Sequence, residues 1–159
     1  MDLNQKLFEF ASSLKENGWS EQTANEILKA GMEATGLPIG IISHVEGPTY
    51  TVLHACSDLL DIPAGTTFDL NQTYCDLMLK NGKLAHFNQA KDTEWGTHPC
   101  YNAFKMEAYI AAPIRLPDGN VYGTFNFSSP QDDHPPFQPD VCNFIESLAD
   151  LIGKNIVAK

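Results

Sequence analysis

The apolar residues of this chain recur at helical spacing in three segments and at strand spacing between them. Residues 3–14 place leucine, phenylalanine and alanine on one helical face, and Ser20 opens a second such segment that runs to about residue 35. A serine there can cap the free backbone N–H groups of a helix, and Gly36 is a residue type at which helices commonly end. Residues 139–157 carry a wide apolar stripe. The pattern therefore predicts two N-terminal helices and one C-terminal helix.

The segments between these helices predict short strands, turns and two short helices. In order they are a hairpin of residues 39–46 and 50–56, a loop over 57–70, a helix over 72–80, a strand over 83–87 and a helix over 99–105. A second hairpin follows over residues 109–127. Antiparallel hairpins with helices grouped on the sheet make an α+β fold. We expect the terminal helices to cover one face of the sheet, and residues 58–104 to cover the other.

The second hairpin has the strongest local signal in the chain. An Asp-Gly dipeptide at residues 118–119 separates two apolar runs, and glycine accepts the positive φ that a tight turn needs. A two-residue turn there places Leu116 opposite Val121. The same register puts Ile110 opposite Phe127, whereas a longer turn with a bulge would change the pairing.

Alternation along its strands gives this hairpin two different faces. The first is wholly apolar and is expected to lie under helices: Ile110, Ala112, Ile114, Gly123, Phe125 and Phe127. The second mixes aromatic, small and polar residues: Tyr109, Ala111, Pro113, Arg115, Tyr122, Thr124 and Asn126. Such a mixture is found in pocket walls, and it is more often a half-buried sheet surface with a solvated edge.

Composition and charge narrow the function classes. The 159 residues are 43% hydrophobic and 10% aromatic, which suits one domain over residues 1–159. Its predicted parts are the N-terminal helices (1–35), the sheet and pocket (36–137) and the C-terminal helix (138–159). The formal net charge is −10 without any basic run, which argues against nucleic acid or an anionic membrane surface as a partner. Because the chain shows no secretory signal and no membrane-length apolar run, we expect a cytoplasmic protein or a cytoplasmic part of a larger one.

Four cysteines are present, none of them in a Cys-x-x-Cys pair: Cys56, Cys75, Cys100 and Cys142. In a reducing compartment they are predicted to be free thiols that pack as small apolar groups. Cys75 lies one turn into the predicted helix over 72–80, where the helix dipole favours a thiolate. It is therefore either a reactive thiol or, as is more common, a packing residue.

Metal and cofactor chemistry has little support in the residue pattern. His54 with Cys56, and His98 with Cys100, are spaced two apart, but a structural zinc site needs four ligands and no others are apparent. No metal site is predicted. Haem would require an axial ligand such as His86 or His98, and the cofactor is left unassigned.

Anion binding has two candidate sources in the sequence. There is no glycine-rich phosphate loop, although the helices predicted to begin near residues 72 and 99 can offer N-termini to a phosphate. Arg115 is the only arginine and can clamp a carboxylate or phosphate. Solvent exposure near the hairpin tip is the more common situation for such a residue.

Five short strings, taken in their order and spacing, resemble a GAF domain, the small-molecule sensing module, over residues 23–155. They lie at residues 36–43, 68–75, 98–101, 108–114 and 121–124. The string Thr73-Tyr74-Cys75 is similar to that of GAF domains which precede histidine kinase or diguanylate cyclase modules. The resemblance implies a central antiparallel sheet of five or six strands with terminal helices on one face. It also implies a ligand cavity between the other face and the short helices around residues 72–80 and 98–105.

The function that this resemblance implies is small-molecule or redox sensing in signal transduction, such as a two-component system. The partners would be a small-molecule ligand, a second copy bound through the terminal helices, and a kinase or cyclase output domain. The C-terminal helix over 138–159 would then be a signalling helix. We expect nine residues to line the ligand pocket: Tyr74, Cys75, Met78, Tyr101, Phe104, Tyr109, Ala111, Thr124 and Asn126.

Two other functions stay open at this stage. One is a thiol enzyme similar to the free methionine-(R)-sulfoxide reductases, which are GAF proteins of about this size. Cys75 lies near one cysteine position of that family and Cys100 is a candidate partner, but the family's own cysteine motifs are absent. The other is a dimerisation module with an empty pocket. Covalent bilin attachment is set aside because Cys100 is followed by Tyr101, where chromophore-binding GAF domains usually carry histidine.

Overall fold

The core of the fold is a six-stranded antiparallel sheet, seen in a computed structural model that describes residues 2–59, 61–73, 79, 82–88, 106–131 and 134–157. Its strands are β1 (Ile39–Glu46), β2 (Thr49–Ser57), β3 (Thr67–Asp69), β4 (Ala85–Phe87), β5 (Ala108–Arg115) and β6 (Val121–Ser129). The described helices are α1 (Leu3–Asn17), α2 (Glu21–Thr35) and α3 (Pro139–Asn155). The strand order is β3-β2-β1-β6-β5-β4. The predicted α+β class is confirmed.

Local capping rules explain where the first two helices begin and end. The Asp2 carboxylate accepts a hydrogen bond from the Gln5 backbone N–H at the start of α1. Ser20 caps α2 as predicted, because its hydroxyl accepts from the Thr23 N–H at 3.1 Å. Gly36 ends α2 in the left-handed conformation, with a φ of 74° and its N–H donating to the Met32 carbonyl.

α2 and α3 pack on one face of the sheet, α1 packs on these two helices, and together they form the larger core with the sheet. α2 lies against β1 and β2, and α3 lies against β5 and α1. The predicted apolar face of the hairpin belongs to this core: Ile110, Ala112, Ile114, Phe125 and Phe127 are each at most 1% exposed. The expectation that helices cover this face is confirmed.

Two glycines allow α2 and β1 to close on the ring of Phe127. A Cβ at Gly31 would lie 2.1 Å from Cζ of this ring, and a Cβ at Gly40 would lie 2.7 Å from its Cε1. Both distances are far below van der Waals contact. The Phe127 ring is therefore held between a helix backbone and a strand backbone that only glycine permits.

The hairpin register agrees with the prediction except at its tip. Ile110 pairs with Phe127, and the matching pairs continue to Ile114 opposite Gly123. Arg115 then pairs with Val121, so the predicted pairing of Leu116 with Val121 is wrong.

The physical reason is a turn one residue longer than predicted. The Gly119 N–H donates to the Leu116 carbonyl at 2.8 Å, and the Leu116 N–H donates to the Asn120 carbonyl at 2.9 Å. Pro117 suits the second position of such a turn, and Gly119 adopts a φ of 90° after it. The longer turn shifts the register by one residue, and a bulge at Tyr122 shifts it back. The apolar face stays continuous because a lasting one-residue slip would turn every side chain over.

Three other predicted elements need correction. The loop over residues 57–70 contains β3, which pairs with β2 at Thr49–Thr51 and is too short to show alternation. The strand predicted over 83–87 is confined to Ala85–Phe87. The helix predicted over 72–80 does not begin at Gln72, because Leu70–Gln72 is a 3-10 turn and Thr73 is extended at φ −115° and ψ 153°. Most of its remainder, and the helix predicted over 99–105, lie outside the described residues.

No helix among the described residues combines the length and the apolar character that a membrane crossing requires.

Candidate functional site

The sheet face opposite the helices carries a second, smaller core rich in aromatic rings. Its buried members are Tyr50, Val52, Phe87, Tyr109 and Ala111. The rings of Phe87 and Tyr109 stack with their centroids 5.4 Å apart and their planes 23° apart. Partly buried apolar residues of the strands and of the segments between them surround this core: Ile41, Val45, Ala55, Ile62, Phe68, Leu70, Leu79, Ala85 and Met106. This face is therefore an apolar and aromatic wall.

Four polar side chains form a hydrogen-bonded cluster in the middle of this wall. Ser43 on β1 and Thr124 on β6 are direct cross-strand partners, and their hydroxyl oxygens lie 2.7 Å apart. The Asn126 amide donates to Thr124 Oγ1 and to the Tyr50 hydroxyl, each at 2.9 Å. Ser43 and Thr124 are 0% exposed, Tyr50 is 3% and Asn126 is 4%. We call these four residues the inner polar cluster.

The strand pattern explains why the inner polar cluster assembles. Thr124 and Asn126 are two residues apart on β6 and share one face. Ser43 lies opposite Thr124, and Tyr50 reaches the same face from β2. Every buried side-chain nitrogen and oxygen among the described residues has a hydrogen-bond partner. Because the two amide hydrogens of Asn126 have different acceptors, the orientation of this side chain is fixed.

The structure brings together four of the nine predicted site residues. Tyr109, Ala111, Thr124 and Asn126 all lie buried on this face, as the alternation of the hairpin predicts. The other five lie outside the described residues: Tyr74, Cys75, Met78, Tyr101 and Phe104.

Sequence reasoning missed the contributions of β1, β2 and β4. Ser43 directly follows the apolar run Ile39–Ile42 of β1, and this polar residue is a signal that could have been used. Phe87 offered no comparable signal, because its place on this face depends on the pairing of β4 with β5. Tyr50 lies in the predicted first hairpin, but its contact with Asn126 depends on β1 pairing with β6.

Two residues assigned to the mixed hairpin face lie elsewhere. Tyr122 packs against the larger core, on the side of the sheet that the helices cover, and its ring centroid is 4.2 Å from that of His44. Arg115 donates from Nη2 to the Gly82 carbonyl at 2.6 Å and borders a cleft with residues of α3. The bulge at the hairpin tip changes the alternation of these two positions, so the predicted seven-residue face is wrong there.

The two described cysteines are poorly placed for thiolate chemistry. Burial raises the pKa of the Cys56 thiol, an effect that Lys29 partly offsets. Burial also raises the pKa of Cys142, and the nearby Glu146 carboxylate adds to the increase. Both thiols are half-buried and unbridged. Cys75 and Cys100 lie outside the described residues.

The candidate metal and haem ligands have aromatic neighbours. Burial lowers the pKa of His54, and the ring of His54 packs edge-on against Trp19 at 5.9 Å. His86 on β4 packs edge-on against Phe137 at 5.8 Å. Within the described ranges no three histidine, cysteine or acidic side chains gather as a metal site would require.

An antiparallel sheet with helices on one face and an aromatic, polar-centred wall on the other defines a small α+β domain. The GAF domain family model matches residues 20–156, so this chain belongs to the GAF domain family. No curated protein matches its sequence.

Solved GAF domains and chromophore-binding domains share this fold. The chromophore-binding domain of Stigmatella aurantiaca phytochrome P1 superposes with a TM-score of 0.76 at 11% identity, over 100% of this chain and 61% of that one. The A. aeolicus nlh2 GAF domain, in an inactive state, gives 0.68 at 18% identity, over 95% and 93% of the two chains. A type II free methionine-R-sulfoxide reductase from Thermoplasma acidophilum gives 0.66 at 15% identity, over 92% of each. The present chain thus spans less than two thirds of the phytochrome domain, and these similarities concern the fold.

Proposed function

We propose that this GAF domain is a sensor that binds a small molecule against the inner polar cluster. The observation that carries this proposal is a buried group of hydroxyl and amide side chains inside a wall of aromatic rings. Ligand pockets typically combine a mostly apolar lining with a few fixed polar groups that orient the ligand. A sheet face that served packing alone would not need Asn126 and Thr124 at its centre, because buried polar groups cost stability unless they are fully paired.

The chemistry of the wall favours an uncharged ligand with flat or apolar parts. The side chains of the inner polar cluster, Ser43, Tyr50, Thr124 and Asn126, are all uncharged at neutral pH. The stacked rings of Phe87 and Tyr109 offer further flat surface. Tyr74, Cys75, Met78, Tyr101 and Phe104 remain the predicted remainder of the pocket.

A chain of contacts supports the proposal that ligand occupancy affects α3. The Asn88 side chain, directly after β4, donates to the His134 carbonyl at 3.0 Å. The His134 ring lies 4.7 Å from that of Phe137, and Phe137 contacts His86 on β4. His134 Nε2 is also 2.6 Å from the carbonyl oxygen of Thr35 at the end of α2. The loop before α3 is thus linked to β4, the strand that contributes Phe87 to the wall. A ligand that binds one arrangement of this loop more tightly than another would shift the populations of the two arrangements.

We further propose a cytoplasmic homodimer formed through α1 and α3, acting on a kinase or cyclase in the same chain or another one, as in two-component systems. The support is a shallow groove between the two helices, bordered by Leu7, Ser147 and Leu151. Beside it the Phe8 side chain is 68% exposed.

Static light scattering tests this proposal: wild-type protein should have the mass of a dimer, and Phe8→Asp should have the mass of a monomer. Glu9→Gln is the matched control on the neighbouring exposed position. A monomeric wild type would contradict the proposal.

Native mass spectrometry with an absorption spectrum tests the sensor proposal. Freshly purified wild-type protein should carry an additional mass or a visible band. Asn126→Leu should lose it, because this variant removes the hydrogen bonds that the amide donates to Tyr50 and Thr124. Asn143→Leu, at an exposed position of α3, makes the same chemical change away from the wall and should keep it. An additional mass that survives Asn126→Leu in a folded protein would place the ligand elsewhere.

A thiol-dependent reductase is the second candidate, supported by the superposition on the T. acidophilum enzyme over almost its full length. Burial raises the pKa of both Cys56 and Cys142, which disfavours their thiolates, so we assign the proposed activity to Cys75 or Cys100. Turnover of free methionine-R-sulfoxide that is lost in Cys75→Ser and kept in Cys56→Ser would establish the enzyme. Absence of turnover in the reduced wild-type protein would exclude it.

A further inference from the structure

A cleft of about 380 Å³ lies on the helix side of the sheet, away from the inner polar cluster. It lies between α3 and two segments of the sheet side, residues 82–84 before β4 and residues 112–115 at the end of β5. Its apolar lining consists of Leu84, Ala112 and Pro113, and Ala112 is 1% exposed. Its volume falls within the range typical of small-molecule sites.

Charges of opposite sign line opposite sides of this cleft. Lys83 and Arg115 come from the sheet side, whereas Glu146 and Asp150 come from α3. The two carboxylates are four residues apart, so they lie on one face of the helix. The cleft therefore has a cationic side and an anionic side above an apolar floor.

Two glycines hold the walls of the cleft in place. A Cβ at Gly153 would lie 1.9 Å from the Arg115 carbonyl oxygen, so only glycine lets α3 pack this closely on the end of β5. The Gly82 carbonyl accepts the 2.6 Å hydrogen bond from Arg115 Nη2, which fixes the guanidinium. A Cβ at Gly82 would lie 3.3 Å from the same nitrogen. Arg115 keeps further N–H groups beyond those it uses here, because a guanidinium has five.

The opposite charges do not neutralise one another across the cleft. Among the described residues the ion pair within 4.0 Å is that of His44 with Glu46, which lies elsewhere. Within the same residues, Lys83, Glu146 and Asp150 make no side-chain hydrogen bond. The two sides thus stand farther apart than a direct salt bridge, and a molecule carrying both charges can bridge them with charge-assisted hydrogen bonds.

We propose that this cleft is a second ligand site, which takes a small zwitterion of the aliphatic α-amino acid class. The ligand carboxylate would meet Arg115 and Lys83, and its ammonium would meet Glu146 and Asp150. An aliphatic side chain would lie on Leu84, beside the edge of β5 at Pro113 that β4 does not cover. Such a ligand would join α3 to the hairpin tip, independently of the pocket at the inner polar cluster.

Amide chemical-shift titration of the full chain tests this site with three matched probes: L-leucine, isocaproate, which lacks the ammonium, and isoamylamine, which lacks the carboxylate. L-leucine should shift the amide signals of residues 114–115 and 146–150 and should bind about tenfold more tightly than either single-charge analogue. Glu146→Gln and Lys83→Gln should each weaken L-leucine binding by about tenfold. Asp150 and Arg115 are left unchanged, because Asp150 also borders the groove beside α1 and Arg115 holds the Gly82 carbonyl.

Glu26→Gln, an exposed position on α2, is the matched control and should leave binding unchanged. Equal binding of isocaproate and L-leucine, or equal loss in Glu26→Gln, would overturn the proposal. Absence of any saturable shift up to about 50 mM L-leucine would do the same. Shifts confined to residues 124–126 would place the amino acid at the inner polar cluster instead and would also overturn it.

Discussion

Replacing Thr124 by valine isolates the energetics of the inner polar cluster, because the two side chains have nearly the same shape. The change removes the oxygen that accepts from Asn126 at 2.9 Å and that lies 2.7 Å from the Ser43 hydroxyl. Both neighbours are buried, at 4% and 0% exposure, so water cannot readily replace the lost partner. Thr124→Val should therefore destabilise the domain although it makes the wall more apolar.

The magnitude follows from the two contacts that are lost. A buried polar group that loses its partner costs about 1–3 kcal/mol, and two such groups are affected here. The Ser43 oxygen still accepts from the Thr124 backbone N–H at 3.2 Å, and its hydroxyl keeps a long contact of 3.5 Å with the Thr124 carbonyl, so part of the loss is recovered. We therefore expect Thr124→Val to lower the free energy of unfolding by about 3 kcal/mol, and Ser43→Ala to lower it by about 2 kcal/mol.

Urea unfolding of the two single variants and the double variant measures this coupling. Removing both hydroxyls eliminates the pair together, so the double variant should be less destabilised than the sum of the single changes by about 1 kcal/mol. The dependence of the unfolding free energy on urea should be the same for all four proteins. Additivity within about 0.3 kcal/mol, or a Thr124→Val variant as stable as the wild type, would refute the reasoning.

Three further predictions test other parts of the structure. Gly31→Ala should lower the free energy of unfolding by about 3 kcal/mol, because the added Cβ would overlap the Phe127 ring. This loss should exceed the gain from the better helix propensity of alanine. A variant that urea unfolding shows to be more stable than the wild type would contradict the close approach. Because burial lowers the folded-state pKa of His54, the unfolded chain takes up the proton first, so stability should fall as the pH drops from about 7.5 to about 5. Thermal unfolding of His54→Gln should show a smaller fall, and an identical fall would refute this assignment. His134→Ala removes the contact with the Thr35 carbonyl and should speed amide hydrogen exchange in the first turns of α3 by about tenfold, with no change in α1. If the substitution changed the exchange rates of the two helices equally, the contact with Thr35 would not hold the loop.

The features predicted correctly from sequence are those set by local rules or by a continuous apolar face. Ser20 and Gly36 bound α2 through chemistry that acts within a few residues. The register from Ile110 to Ile114 could be predicted because any slip would expose Phe125 and Phe127. The same alternation placed Thr124 and Asn126 on the opposite face.

The features that were missed depend on distant partners or on compensating irregularities. β3 has three residues and exists only through its pairing with β2, so no periodicity could indicate it. The longer turn and the bulge at Tyr122 shift the register in opposite directions, so the pairing from Ile114 onward is the same as for a two-residue turn. The alternation of apolar residues therefore could not predict either irregularity. Tyr50 joins Asn126 across 76 positions of sequence, a contact that only the order of strands in the sheet brings about.

The close fit of Phe127 between Gly31 and Gly40 also has a consequence for motion. An aromatic ring enclosed by two backbones cannot rotate by half a turn unless α2 first moves away from β1. The flip rate of this ring, measured by NMR lineshape, therefore reports how often the helix and the sheet separate. Slow flipping would mean that α2 and the central strands behave as one rigid body. A rearrangement on binding of the proposed ligand would then leave α2 and the central strands unchanged relative to each other.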